Sequence, residues 1–247
     1  MESFTISQKP PNFPSKYTIS LKFLCQTLGI ITFFLGFSPF FFQNKASPAN
    51  HQTENPFPKE FFQSEQVVLI LGKPGQTVGK LYLFEMVLGQ WESKIESIPV
   101  WFGRSGLIPS NLKREGDGFT PLGYFPIKRI LGKEKRSIRT LEYTQISKNH
   151  YWNDNSNSKH YNQLVQKKEK GAHPLWNSDI YELFLVIEHN TNPSIPGMGS
   201  MIFLHPWKES NPTSGCVGID KNSLVQITNL LDGNKNPFLI ISEEDDL

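Results

Sequence analysis

Short apolar runs bounded by glycine, proline and asparagine recur along the chain from residue 66 onward. The run Gln66–Leu71 ends at Gly72 and Pro74, a pattern typical of a strand followed by a turn. We predict that Lys80–Val87 is its hairpin partner. Further strands are predicted at Ile98–Phe102, Gly123–Ile130, Leu183–Glu188, Ser200–His205 and Pro237–Ser242.

Near the end of the chain the apolar spacing changes from that of a strand to that of a helix. Asp220 suits an N-cap, and apolar residues then recur at helical spacing up to Leu231. Asp232 and Gly233 are expected to stop this helix. One helix among many strands predicts a mainly β domain, built as a curled sheet or a sandwich.

Residues 133–180 form a long polar segment that is predicted to be a loop. Aromatic residues are spaced among its asparagines, serines and lysines. A loop this long within a compact domain is usually functional, so it could wall a substrate groove. The alternative is an insertion with little order.

The first 49 residues differ from the rest of the chain. No charged residue occurs between positions 23 and 44, and Lys9, Lys16 and Lys22 precede that stretch. This pattern predicts a signal peptide, with small residues at 46–49 for cleavage, or an uncleaved N-terminal membrane anchor. Either one places the following residues outside the cytoplasm, in the periplasm or cell envelope. Residues 50–65 are predicted to be a linker, and residues 66–243 a single domain.

Charge and cysteine content exclude several classes of protein. Four lysines and Glu2 give residues 1–49 a net charge of +3, which leaves −1 for the rest of a chain with a total of +2. That balance argues against nucleic-acid binding. Two cysteines cannot build a disulfide framework or a multi-cysteine zinc site, and no histidine spacing suggests a metal site. Because Cys25 lies in the leader, Cys216 is alone in the exported part.

Cys216 follows His205 by eleven residues, across a turn-rich segment. Such a pair suits nucleophilic catalysis, since imidazole can remove the thiol proton and the thiolate can attack a carbonyl. Gly215 allows a sharp turn or close approach of substrate. Amides at and beside Cys216 could stabilise a tetrahedral oxyanion. The alternative is a buried, inert thiol.

Two longer motifs surround this pair. Residues 199–207 (GSMIFLHPW) and 212–217 (PTSGCV) resemble the active-site segment of L,D-transpeptidases of the YkuD type, in the branch with an IFLH…TxGC pattern. Residues 114–125 (REGDGFTPLGYF) resemble a second block of that family. A weaker third block comprises Tyr161-Asn162 and Glu188-His-Asn190. These ordered blocks cover most of the exported chain.

The resemblance implies a function in peptidoglycan synthesis, cell-wall remodelling and cell shape. In that family the cysteine attacks a stem tetrapeptide, expels D-alanine and passes the acyl group to an amine, giving 3→3 crosslinks or protein attachment. By resemblance Cys216 is the nucleophile, and His205 is first the general base and then the acid. Ser214 and Gly215 would shape the turn and help to orient His205. Stem peptides, and a lipoprotein or other amine, are the implied partners, with no metal or organic cofactor.

Other residues of the motifs leave alternatives open. Arg114 could contact stem carboxylates or be a solvated surface charge, and Lys208 is a weaker candidate. Trp207 could line the groove or pack in the core. Gly218 replaces an arginine that many relatives have at this position. Asp117 and Thr120 are expected to set a turn rather than touch substrate.

Two other functions compete with transpeptidation. The same Cys/His pair with water as acceptor would make an L,D-carboxypeptidase or an amide hydrolase that acts on stems. An inert Cys216 would instead leave a non-catalytic module that binds the wall.

Overall fold

A computed structural model describes residues 6–7, 18–19, 63–208 and 210–244. In the first part of the chain β1 (Ile6–Ser7) and β2 (Thr18–Ile19) pair antiparallel. Apart from these four residues, the predicted leader lies outside the described residues, as does most of the predicted linker. All other elements belong to a unit that spans residues 57–246.

This unit is mainly β. Its strands are, in chain order, β3 (Gln66–Gly72), β4 (Val78–Val87), β5 (Gln90–Trp101), β6 (Leu107–Pro109), β7 (Thr120–Pro126), β8 (Arg129–Gly132), β9 (Glu142–Gln145), β10 (Tyr151–Asn153), β11 (Gln163–Val165), β12 (Ala172–Pro174), β13 (Leu183–Val186), β14 (Phe203–Pro206), β15 (Val217–Ile219) and β16 (Phe238–Glu243). The α-helix of the described part, α1, spans Lys221–Leu230. Short 3-10 helices occupy Ser110–Leu112, Asp179–Tyr181 and Gly233–Lys235. No helix within the described residues is both long enough and apolar enough to cross a membrane.

One large mixed sheet of the described chain runs in the order β6-β7-β16-β3-β4-β5-β15-β14-β13-β8-β9. The predicted hairpin is confirmed, because β3 and β4 pair antiparallel with Val68 opposite Leu83. All seven residues of β3 are buried, which explains its unbroken apolar sequence. The prediction of a mainly β, curled sheet with few helices is also confirmed.

The sheet has a hydrophobic core on each face. Alternate residues of its central strands face opposite sides, as the two-residue period of a strand requires. The first core contains Ile130, Leu185, Leu204 and Val217. The second core contains Leu131, Phe184, Val186 and Phe203. Each fully buried side chain of this size contributes about 1.5–3 kcal/mol to folding, so both faces of β13 and β14 are held firmly.

The prediction of a loop over residues 133–180 is partly wrong. The segment contains β9 and a separate three-stranded sheet in the order β11-β10-β12. Its strands are only three or four residues long, too short for the two-residue period to stand out among polar neighbours. Trp152 and Leu175 from this segment are fully buried in the second core. The segment therefore covers one face of the main sheet.

Helix α1 begins as predicted. The Asp220 carboxylate accepts a hydrogen bond from the Ser223 amide, and Leu224 and Ile227 are buried in the first core. The helix ends at Leu230, and Asp232 then caps the following 3-10 helix through the amide of Asn234.

Candidate active site

The parallel strands β14 and β15 bring His205 and Cys216 to the same face of the sheet. Leu204 lies beside Val217 in the register and both face the first core. Strand alternation therefore turns His205 and Cys216 to the other face, where Cys216 packs against the second core. The two residues that were predicted to react together are diagonal neighbours on adjacent strands.

The His205 imidazole is held in one tautomer. It is 2% exposed, and its Nδ1 lies 2.9 Å from the carbonyl oxygen of Pro206. Because a carbonyl can only accept, Nδ1 carries the proton and Nε2 keeps its lone pair. Burial lowers the pKa of His205, although the contact with Pro206 opposes this. The ring is therefore neutral at pH 7, with an acceptor at Nε2.

Cys216 is a free thiol that donates to the carbonyl oxygen of Met201, with 3.1 Å between Sγ and that oxygen. Burial raises the pKa of Cys216 to about 11, opposed by a hydrogen bond from the Phe203 amide and by the positive charge of Lys113. At pH 7 the thiol is therefore protonated, and its proton is directed to Met201 rather than to His205.

Met201 is itself held in an unusual conformation. Its φ angle of 54° lies in the left-handed region, which few residues other than glycine adopt. Its amide donates to Oδ1 of Asn162, at 3.1 Å, and the Asn162 amide group donates to the carbonyls of His189 and Asn190. The carbonyl that accepts the thiol proton is thus fixed by a buried asparagine from another part of the chain.

Two buried threonines fasten the loop that carries Cys216. The Thr120 hydroxyl accepts from the Gly103 amide at 2.8 Å and donates to the carbonyls of Gly215, at 2.9 Å, and Cys216, at 3.2 Å. The Thr213 hydroxyl donates to the Cys216 carbonyl at 2.6 Å and accepts from the Gly215 amide. Gly215 has a φ angle of 143°, which disfavours any residue with a side chain. The turn before the thiol is therefore fixed on both sides.

A buried ion pair lies close to the thiol. The Lys113 side chain is 3% exposed, and its Nζ lies 2.6 Å from Oδ1 of Asp117. The Asp117 carboxylate also accepts from the amides of Arg114 and Phe119. Burial alone would raise the pKa of Asp117, but Lys113 and the two amides lower it below its usual value. The lysine stem packs against Gly199, two residues before Met201.

The match to known proteins agrees with this geometry. A sequence model described as the YkuD L,D-transpeptidase catalytic domain matches residues 75–239, well over half of the chain. The chain belongs to the YkuD family of L,D-transpeptidase catalytic domains. Both His205 and Cys216 lie within the matched part of this YkuD chain.

No curated protein matches this YkuD chain. Among solved structures it is similar to the one described as "Structure of Bdellovibrio bacteriovorus Bd1075", with 18% sequence identity and a TM-score of 0.36. The similarity covers 72% of this chain and 48% of that chain, so it spans about half of that protein's length.

The other residues predicted for the site lie at the surface of the YkuD domain. Arg114 is exposed, and its guanidinium donates to the carbonyls of Asn111, at 3.0 Å, and Lys113, at 2.7 Å. Ser214 is exposed on the loop before Cys216. Trp207 is partly exposed and packs edge-on against the His205 ring, with 5.5 Å between ring centroids. Whether these three side chains contact substrate stays a prediction.

Two aromatic residues lie beside the thiol: Trp152, from the segment 133–180, and Tyr181, which directly follows that segment. Tyr181 packs against Phe184 and Phe203, and Trp152 packs edge-on against Phe203 at 4.9 Å. Burial raises the pKa of Tyr181, and the nearby Cys216 adds to that rise. This segment was predicted to wall a groove, and it does supply aromatic side chains to the face that carries Cys216.

The third, weaker motif block is buried structure. His189 is the histidine of this block. It is 6% exposed, its Nε2 donates to the Met198 carbonyl at 2.8 Å, and burial lowers its pKa. Glu188 forms a two-pronged ion pair with Arg129 at 2.9 and 3.0 Å. Tyr161 donates to the Glu115 carboxylate.

Sequence reasoning missed the roles of Lys113, Met201 and Thr213. It named Asn162 only within the weaker third block, and it expected Thr120 only to set a turn. Thr213 could have been found, since a threonine two residues before a glycine often bonds the backbone of a turn. The other residues contact parts of the chain that are distant in sequence, so no local sequence pattern reveals their roles. Within residues 63–208 and 210–244 no group of three His, Cys, Asp or Glu side chains is placed to hold a metal ion.

Proposed function

We propose that this chain is a peptidoglycan L,D-transpeptidase in which Cys216 is the nucleophile and His205 the general base. The observation that carries the proposal is the placement of both residues on one face of the β14–β15 pair, within the part matched to the L,D-transpeptidase catalytic domain. Membership of this family connects the chain to peptidoglycan. The acyl donor would be a stem tetrapeptide.

The reaction proceeds in two halves. Nε2 of His205 takes the thiol proton while Sγ attacks the stem carbonyl, and the tetrahedral intermediate collapses by breaking the carbon–nitrogen bond to D-alanine. The imidazolium gives its proton to the departing amine, which leaves a thioester on Cys216. An acceptor amine then attacks the thioester and His205 takes the amine proton. The new amide forms as the carbon–sulfur bond breaks, and His205 returns the proton to Sγ, which restores the thiol.

The resting thiol favours proton transfer during attack over a preformed thiolate. A thiol with a pKa of about 11 and a neutral imidazole do not form an ion pair at pH 7. The thiol must therefore turn from the Met201 carbonyl towards Nε2 of His205 when substrate arrives. The charge of Lys113 lowers the pKa of Cys216 and would stabilise the thiolate as it forms.

The developing oxyanion needs a fixed donor. Of the amides predicted for this task, that of Gly215 already donates to Thr213 Oγ1. The amide of Cys216 itself is therefore the proposed donor, because the Thr120 hydroxyl holds the Gly215 carbonyl, which belongs to the same peptide group. Removing one such donor typically slows an acyl transfer about 10²–10³-fold.

Substrate contacts and location complete the proposal. Arg114 and Ser214, both exposed, would contact the stem. The leader at residues 1–49 would export the domain of residues 66–243 to the periplasm or cell envelope, either cleaved or as an anchor. The acceptor would be the side-chain amine of another stem or an amine of a lipoprotein.

The test uses the full chain and disaccharide tetrapeptides, with products separated and identified by mass spectrometry. Dimers linked 3→3 are expected. Cys216→Ala should abolish them, and His205→Gln should slow their formation about 10²–10⁴-fold. His150→Gln, which alters an imidazole bonded to Ser147, is the matched control and should not change the rate.

Other products would decide between the alternatives. Trimmed tripeptide monomers without dimers would mean that water is the acceptor, and would identify a carboxypeptidase. No product, together with no acyl adduct on Cys216 from a carbapenem donor, would refute the enzyme and leave the wall-binding module.

A further inference from the structure

Trp207 occupies the space that a side chain at position 218 would need. An ideal Cβ built on Gly218 would lie 2.7 Å from Cγ, 2.8 Å from Cβ and 3.0 Å from Cδ1 of Trp207. Contacts under 3.0 Å do not occur between real atoms of this kind, so a side chain at 218 and Trp207 in its present place exclude each other.

The same tryptophan contacts the proposed base. Its ring packs edge-on against His205, at 67° and 5.5 Å between centroids, and His205 is the register partner of Gly218. One indole therefore lies against the imidazole and against the neighbouring strand at the same level. Aromatic pairs of this geometry are favourable beyond the area that they bury.

Trp207 is anchored at both its backbone and its ring. Its amide donates to the Ile219 carbonyl at 2.7 Å, which continues the pairing of β14 with β15. Its indole Nε1 donates to the Asn211 carbonyl at 2.8 Å, within the connection that leads to Cys216. The ring thus has fixed attachments to the strand on one side and to the connection on the other.

We propose that Trp207 is a positioning residue that acts through His205. It fills the space over Gly218 and holds the imidazole in the orientation that directs Nε2 to the thiol. This inference rests on the proposed function of His205 as base. It assigns to Trp207 a role in the rate of the chemical step rather than in substrate affinity.

The experiment compares Trp207→Ala, Gly218→Ala and the double variant in the transpeptidase assay, with kcat and KM measured separately. Displacing a catalytic base by about 1 Å can slow the reaction about 100-fold. Each single variant should therefore lose about that factor in kcat, with little change in KM. In the double variant the added methyl group no longer meets Cγ and Cδ1 of the indole, and only its contact with the Cβ of residue 207 remains. The combined loss should therefore stay far below the product of the two single losses. Independent effects would multiply to about 10⁴-fold.

A second background tests whether Trp207 acts through the imidazole. In His205→Gln, replacing Trp207 by alanine should change the residual rate by less than about twofold. The 15N NMR shifts of the His205 imidazole give the same comparison without peptidoglycan: Trp207→Ala should change them, and Trp91→Ala should not. This second readout keeps the inference testable even if the proposed reaction is not found.

Two further variants serve as controls. Trp207→Phe keeps a ring over Gly218 and should stay within about tenfold of the native kcat. If Trp207→Ala fails to fold, Trp207→Leu, which also removes the ring, replaces it in the comparison. Trp91→Ala removes a tryptophan from the far end of β5. Trp101, ten residues further along that strand, is the register partner of Gly218. Trp91→Ala should therefore leave kcat unchanged. A rise in KM alone for Trp207→Ala, a neutral Gly218→Ala, or a multiplicative double variant would each overturn the proposal.

Discussion

The substitution Thr120→Val removes one hydroxyl from the centre of the candidate site while keeping the shape of the side chain. Thr120 is 0% exposed, at the start of β7. Its hydroxyl connects the Gly103 amide to the carbonyls of Gly215 and Cys216, about a hundred residues away in sequence. We therefore expect a loss of both stability and activity.

The size of both losses follows from the contacts. Valine leaves the buried Gly103 amide and the buried Gly215 carbonyl without this partner, whereas the Cys216 carbonyl keeps Thr213. A buried polar group without a partner costs about 1–3 kcal/mol, so the free energy of unfolding should fall by about 4 kcal/mol. For a domain of this size that corresponds to a Tm lower by about 10 °C. Because the peptide between Gly215 and Cys216 loses the hydrogen bond that holds its carbonyl, kcat should fall about 100-fold.

Thermal unfolding followed by circular dichroism gives the Tm, and the crosslinking assay gives kcat. The matched control is Thr228→Val, since Thr228 is also 0% exposed but donates only to the Val225 carbonyl within α1. This control should lose less than about 1 kcal/mol and no activity. If Thr120→Val kept native kcat and lost no more stability than Thr228→Val, the role given to this hydroxyl would be refuted.

Two further predictions concern charge. Asp117→Asn should lower the free energy of unfolding at pH 7 by about 3–5 kcal/mol, because it leaves the buried Lys113 without its charged partner. Folding lowers the pKa of Asp117, so the difference from the native protein should shrink as the pH falls below about 4. Unfolding measured at several pH values checks this. The rate of Cys216 alkylation by iodoacetamide should rise about tenfold per pH unit and level off only near pH 11, because the pKa of this thiol is raised. A plateau near pH 8.5, the ordinary pKa of cysteine, would contradict that shift.

The sequence predicts those strands whose apolar residues form a continuous run and are also buried in the fold. β3 is buried along its whole length, and its apolar run is unbroken. β10, β11 and β12 have three residues each, and only Trp152 and Asn153 of them are fully buried. Their pairing is fixed by contact with the main sheet rather than by local preference, so no period in the sequence could reveal them.

The sequence singles out His205 and Cys216 as a candidate pair, but it does not reveal their electrostatic setting. His205 and Cys216 belong to residue types whose chemistry is evident from the side chain alone. Burial and the contact with Pro206 set the pKa of His205, and burial, the Phe203 amide and the charge of Lys113 set that of Cys216. Desolvation is a property of the packed domain, and a sequence does not state which of its residues lose water.

The block at residues 113–120 shows why a motif can identify a family and still conceal what its residues do. Its glycines and charges suggest an exposed turn that could meet substrate, and Gly118 does adopt a positive φ of 78°. Yet Lys113 is buried, the Glu115 amide donates to the Gly197 carbonyl, and Thr120 bonds the loop that carries Cys216. These contacts join the block to both segments that surround the thiol. We infer that the spacing within the block matches the distances between those segments. Residues of the block that touch no substrate would then still be needed to hold the geometry of the proposed site.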